Sequence, residues 1–173
     1  MKITALVLCI VAALCGTSCI GPGYGKFLPA DAVGHTVLAL DVSYLADSMK
    51  GEFFDISSLN AISLDKFTDR RIERTSDGKL AKVFVLITPG RYDVTLRYCR
   101  NAMYFAGRDF WLADVTKEVM LEPGIYSVGG RVEGDFVYLW LSNSAGHAVT
   151  EAEKALIKKS ERRIPIIVPI PIK

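Results

Sequence analysis

The stretch Val83-Phe84-Val85-Leu86-Ile87-Thr88-Pro89-Gly90-Arg91-Tyr92-Asp93-Val94-Thr95-Leu96-Arg97-Tyr98 decides the fold class. Its second half alternates strictly. Tyr92, Val94, Leu96 and Tyr98 point one way and Arg91, Asp93, Thr95 and Arg97 the other, which is the period of a strand with one wet face. Its first half, Val83 to Ile87, is apolar at every position and so reads as a central strand covered on both faces. Between them stands Pro89-Gly90, where proline fixes φ and glycine supplies a positive φ, the chemistry of a type II turn.

The pattern extends in both directions. Leu38, Leu40, Val42 and Tyr44 alternate with Ala39, Asp41 and Ser43, and Phe53–Ile56 and Ala61–Leu64 are shorter candidates. Asp65 to Lys79 is polar and carries a turn signal at Asp77-Gly78. Val115–Leu121, Ile125–Glu133 and Phe136–Leu141 read as further strands. About seven short strands at this spacing predict a mainly β protein, an antiparallel β-sandwich, over residues 35–143. The stretch Leu86 to Val94 has an echo 34 residues on, Met120-Leu121-Glu122-Pro123-Gly124-Ile125-Tyr126-Ser127-Val128. Two copies make no repeat array, so the echo reads as one turn problem solved twice.

An apolar strand, Pro-Gly, then Tyr-x-Val resembles the small β-sandwich modules related to transthyretin, such as carboxypeptidase-regulatory-like and PEGA domains. The resemblance covers roughly residues 35–143. It implies a sandwich and a binding, spacing or scaffold role on an envelope protein.

The amino terminus carries the clearest functional signal. Lys2, the apolar run Ile3–Leu14 and the small residues after it have the layout of a secretory signal. Gly16-Thr17-Ser18-Cys19 resembles the lipobox of bacterial lipoproteins, which implies cleavage before Cys19 and acylation of that residue, palmitate included. Gly16 stands where that family usually has leucine. A plain cleaved signal and an uncleaved anchor are the alternatives, since Ile3–Ile20 holds no charge and is about long enough to span a bilayer. Lipidation alone accounts for a cysteine at the end of the run. By the same resemblance, Ile20 in place of aspartate implies the outer membrane, with the domain facing the periplasm. Gly21-Pro22-Gly23-Tyr24-Gly25 has no strand before it and reads, with the rest of residues 19–34, as a flexible tether.

Composition bounds the rest. Removing residues 1–18 of 173 leaves 155, enough for one domain. The 21 basic and 19 acidic residues nearly cancel, which argues against nucleic acid as a partner. With Cys9 and Cys15 in the leader and Cys19 lipidated, Cys99 is left without a disulfide partner and reads as a buried apolar residue. His35 and His147 lack metal-ligand spacing and read as surface or capping residues. No nucleophile elbow, phosphate loop or metalloprotease motif occurs. The expectation is therefore no enzyme, no cofactor and no metal. An enzyme would need titrating groups gathered near residues 100–113, such as Asp109 and Asp114.

Two segments point to contact. Arg100, Tyr104, Phe105, Arg108, Phe110 and Trp111 bring together residue types enriched at binding hot spots, on a long loop. They form the candidate patch for a protein or glycan, or else fold over an open end of the sandwich. At the carboxyl end, Thr150-Glu151-Ala152-Glu153 has the form of a capping box and predicts a helix to about Arg163. Ile164 to Lys173 holds three prolines and reads as an extended tail that packs on its own sandwich or docks on a partner. The chain thus reads as a lipid-anchored binding or accessory module of the cell envelope. A structural subunit docked through its tail is the alternative.

Overall fold

The computed structural model describes residues 24–42, 51–78, 80–101 and 110–160. Within them the strands are β1 (Tyr24–Lys26), β2 (Thr36–Asp41), β3 (Gly51–Leu59), β4 (Ile62–Ser63), β5 (Arg70–Arg74) and β6 (Leu80–Ile87). They continue with β7 (Gly90–Asn101), β8 (Phe110–Leu121), β9 (Gly124–Glu133), β10 (Phe136–Asn143), β11 (Glu153–Leu156) and β12 (Lys158–Lys159). One sheet has the order β1-β5-β6-β2-β9-β10-β11, the other β12-β8-β7-β3-β4. The protein is mainly β, and among the described residues its two sheets hold seven and five strands, more than the seven or so expected of the sandwich. Most neighbours are antiparallel, while β1–β5 and β2–β9 run parallel.

The core lies between the sheets. Leu38, Val85, Ile87, Val137, Leu139 and Leu141 come from the seven-stranded sheet, and Ile56, Leu59, Val94, Leu96, Tyr98 and Leu121 from the five-stranded one. Alternation puts the other residues of β7 outside: Arg97 faces Asp114 and Thr95 faces Thr116 across β8. β6 is apolar on both faces because a second cluster lies behind it. Val37, Phe84 and Leu86 are covered there by Phe27, Ala32, Ala39 and Ile125, with Phe27 stacked on Phe84 at 3.9 Å between ring centroids. The described part of the expected tether, from Tyr24 on, is thus docked on the sheet as an edge strand and a covering turn.

Both Pro-Gly motifs are corners where the chain leaves one sheet for the other, β6 to β7 and β8 to β9. Neither is a type II turn, because Gly124 has φ 156° and Gly90 lies outside the positive-φ glycines. What the two share is the tyrosine. The Tyr92 hydroxyl donates to the Thr88 carbonyl at 2.8 Å, and that of Tyr126 to the Glu122 carbonyl at 3.2 Å. Each ring folds back over its glycine and ties the corner down.

The expected helix at Thr150–Arg163 is not formed over the described residues to Ser160. β11 pairs with β10 in one sheet and β12 with β8 in the other, so one extended segment crosses between the sheets and closes that side. The physical reason is period two: Ala155 and Ile157 pack on the core while Lys154, Leu156 and Lys158 face outward. A helix with so thin an apolar stripe would bury less. The tail, residues 164–173, lies outside the described residues.

Candidate binding site

Strand register assembles one row at the end of the sandwich from which the β7–β8 connection leaves. Glu52 on β3 stands opposite Arg100 on β7, Arg100 opposite Trp111 on β8, and Trp111 opposite Lys159 on β12. All four take the inward-facing positions of their strands but lie beyond the core, where the sheets open. The Arg100 guanidinium sits 4.8 Å from the centroid of the Trp111 ring and the Lys159 ammonium 5.9 Å from it. Such contacts are worth roughly 0.5–1 kcal/mol each at an exposed site. Trp111 is half-buried.

The row rests on a rigid floor. Tyr98, one inward position below Arg100, is fully buried and meets Phe54 at 5.6 Å between ring centroids. Burial, with the Glu52 carboxylate beside it, pushes the Tyr98 hydroxyl up to about 12, so it stays a neutral phenol. Beside the row a shallow groove of about 370 Å³ runs between β8 and the crossing segment, lined by Leu112, Asp114, Leu156, Lys158 and Lys159 among others.

The outer face of the same sheet carries a charge ladder. Asp55 on β3, Arg97 on β7 and Asp114 on β8 stand in register. Arg97 donates to both Asp114 oxygens, at 2.7 and 2.8 Å, and that carboxylate raises the guanidinium above its ordinary value. Asp55 accepts the Ile56 amide at 2.8 Å. Burial nevertheless pushes its carboxyl up to about 7, outweighing that bond and the Arg97 charge, while Asp41 adds a smaller upward push. No composition or spacing signal marks Asp55, since its burial comes from packing. Cys99 lies beside this ladder as a free, buried thiol, pushed up to about 12 by burial.

Of the residues singled out in sequence, Arg100 and Trp111 are brought into contact. Phe110 is buried on the opposite parity of β8 and does not join the row. Tyr104, Phe105, Arg108 and Asp109 lie outside the described residues, as does Cys19. Lys159 was not visible as a site residue, because a helix would have turned it elsewhere. His35 is exposed, with Nδ1 3.1 Å from the Val33 carbonyl, and the exposed His147 belongs to the turn after β10, its amide donating to Asn143. Among the described residues no three His, Cys, Asp or Glu side chains gather as metal ligands, and no helix is long and apolar enough to cross a membrane. No protein-family model, curated protein or solved structure matches the chain.

Proposed function

We propose that this chain is a lipid-anchored envelope protein whose sandwich serves as a non-catalytic contact module for another envelope component. The observation that carries this reading is the Arg100–Trp111–Lys159 row. An aromatic ring held between two cations on rigid strands is hot-spot chemistry with little entropy left to lose on binding. It stands where β7 ends and β8 begins, on either side of the sequence that bears Tyr104, Phe105 and Arg108. The leader ending at Cys19 supplies the anchor, and Ile20 after it favours the outer membrane with the domain facing the periplasm. The repeated Pro-Gly-x-Tyr-x-Val corner supports the likeness to transthyretin-related and PEGA modules.

The anchor is tested by Cys19→Ala in cells fed labelled palmitate. Loss of label and of membrane fractionation is expected, and unchanged labelling overturns the anchor. A docked-subunit reading is favoured by one observation: Ser160, the last described residue, donates its amide to the Phe110 carbonyl at 2.7 Å and is held at that end of the sandwich. Deleting residues 164–173 distinguishes the two, since a docked subunit loses its partner while a contact module built on Trp111 keeps it.

A further inference from the structure

The outer face of the seven-stranded sheet carries a feature that the contact row does not use. Phe136, Tyr138 and Trp140 occupy alternate positions of β10, on the side away from the core residues Val137, Leu139 and Leu141. Their centres repeat about every 7 Å along the strand. Register sets charges around them: Arg131 of β9 and Lys154 of β11 both stand opposite Tyr138, and Glu133, opposite Phe136, pairs with Arg131 at 2.9 Å, which leaves the Lys154 charge in excess. The Arg131 guanidinium is 5.1 Å from the Tyr138 ring centroid, and the Lys154 ammonium 4.0 Å from that of Phe136. Gly129, opposite Trp140, has no side chain, and a Cβ there would overlap the indole. The indole therefore lies against the sheet. The rim is apolar: Phe136 is 38% and Leu156 46% exposed, and in the segment leading onto and off the same sheet face Leu28 is 52% and Val33 77% exposed.

Tryptophan, tyrosine and phenylalanine interleaved with arginine and lysine are the side chains of a membrane–water interface. The rings suit the headgroup level, while the cations keep their stems on apolar surface and their heads at lipid phosphates. The chain itself says why a bilayer would be near. From Cys19 to Tyr24, already docked at the edge of this sheet, a fully extended chain spans at most about 18 Å. We infer that the outer face of the seven-stranded sheet, centred on Phe136, Tyr138 and Trp140 with Arg131 and Lys154, lies on the surface of an anionic lipid bilayer. This rests on the proposed anchor and adds an orientation to it. One signal, the lipid, tethers the chain, and the second, the face, sets which side meets the membrane.

The test uses the full chain extracted from membranes and reconstituted into vesicles of phosphatidylethanolamine and phosphatidylglycerol with brominated acyl chains. Trp111→Phe leaves Trp140 as the remaining tryptophan, the sequence having two. Trp140 is expected to be quenched, whereas Trp111 in the Trp140→Phe variant is not. Reversing both cations, Arg131→Glu with Lys154→Glu, is expected to abolish the quenching in chains that keep their far-ultraviolet β signature. Palmitate labelling reports the anchor separately. A labelled chain that floats with vesicles while Trp140 stays unquenched overturns the inference and leaves the anchor standing, as it would if a protein or glycan were the true occupant. An unlabelled chain whose Trp140 is quenched overturns the anchor and supports the face. A chain that does not float overturns the inference.

Discussion

The ring of Phe54, on the five-stranded sheet, rests directly on the backbone of Gly130 in the facing sheet, so close that a Cβ at Gly130 would overlap it. This contact sets how near the two sheets approach at the floor of the contact row, since Phe54 also packs on Tyr98. Gly130→Ala is expected to destabilise the fold by about 2 kcal/mol, the scale of an overpacked core. That corresponds to a fall in Tm of about 6 °C for a domain of this size. Gly129→Ala, which displaces Trp140 on the outer face, is expected to cost less. Equal Tm values for the two variants would show that the sheets do not close on Phe54.

The twin corners make a second prediction. Tyr126→Phe removes a hydroxyl that donates to Glu122, and is expected to cost about 1 kcal/mol in urea unfolding. Tyr92→Phe, at the more exposed corner, is expected to cost less. Midpoints unchanged in both variants would leave the corners held by Pro89 and Pro123 alone.

Stability is expected to carry the signature of Asp55. Its folded pKa of about 7 lies above the unfolded value near 3.9, so between these limits the native state binds the extra proton. Stability from this group is therefore full below about pH 4, falls as pH rises, and levels off above about pH 7. Asp55→Asn keeps an acceptor for the Ile56 amide and removes the titration. The variant is expected to gain on the natural protein as pH rises through this window, measured as a difference in Tm. A difference that does not change with pH would mean that Asp55 is ionised throughout.

Closure of the sandwich by residues 153–159 is tested at Ile157. Its amide donates to the Asp135 carbonyl at 2.8 Å and its side chain packs on the core. Ile157→Pro removes both and is expected to cost about 3 kcal/mol or more. A variant as stable as the natural chain would show that the crossing segment does not seal the side.

The parts of the fold legible in sequence are those where one face of a strand is apolar. Tyr92, Val94, Leu96 and Tyr98 announced β7, and Val83–Ile87 announced a strand covered on both sides, although the cover, Phe27, was hidden in what looked like a tether. β5 escaped because Arg70-Arg71-Ile72-Glu73-Arg74 offers a single aliphatic residue, and its pairing with β1 and β6 comes from backbone hydrogen bonds. β3 was seen short because a register shift between Ile56 and Ser58 breaks its alternation. β11 and β12 differ from the helix expected there because glutamates early and lysines late imitate a capped helix. In the site, the pairing of Arg100 with Trp111 was within reach, since both flank the β7–β8 connection. Lys159 and the outer aromatic stripe were not, because cross-strand register decides them.

The proposed role of the Arg100–Trp111–Lys159 row is to hold an envelope partner. The most direct measurement compares co-purification from membranes for the natural chain and for Trp111→Ala with Arg100→Ala, at matched Tm and matched palmitate labelling. An envelope component is expected with the natural chain and is expected to be lost from the variant. The same component recovered equally with both chains would contradict it.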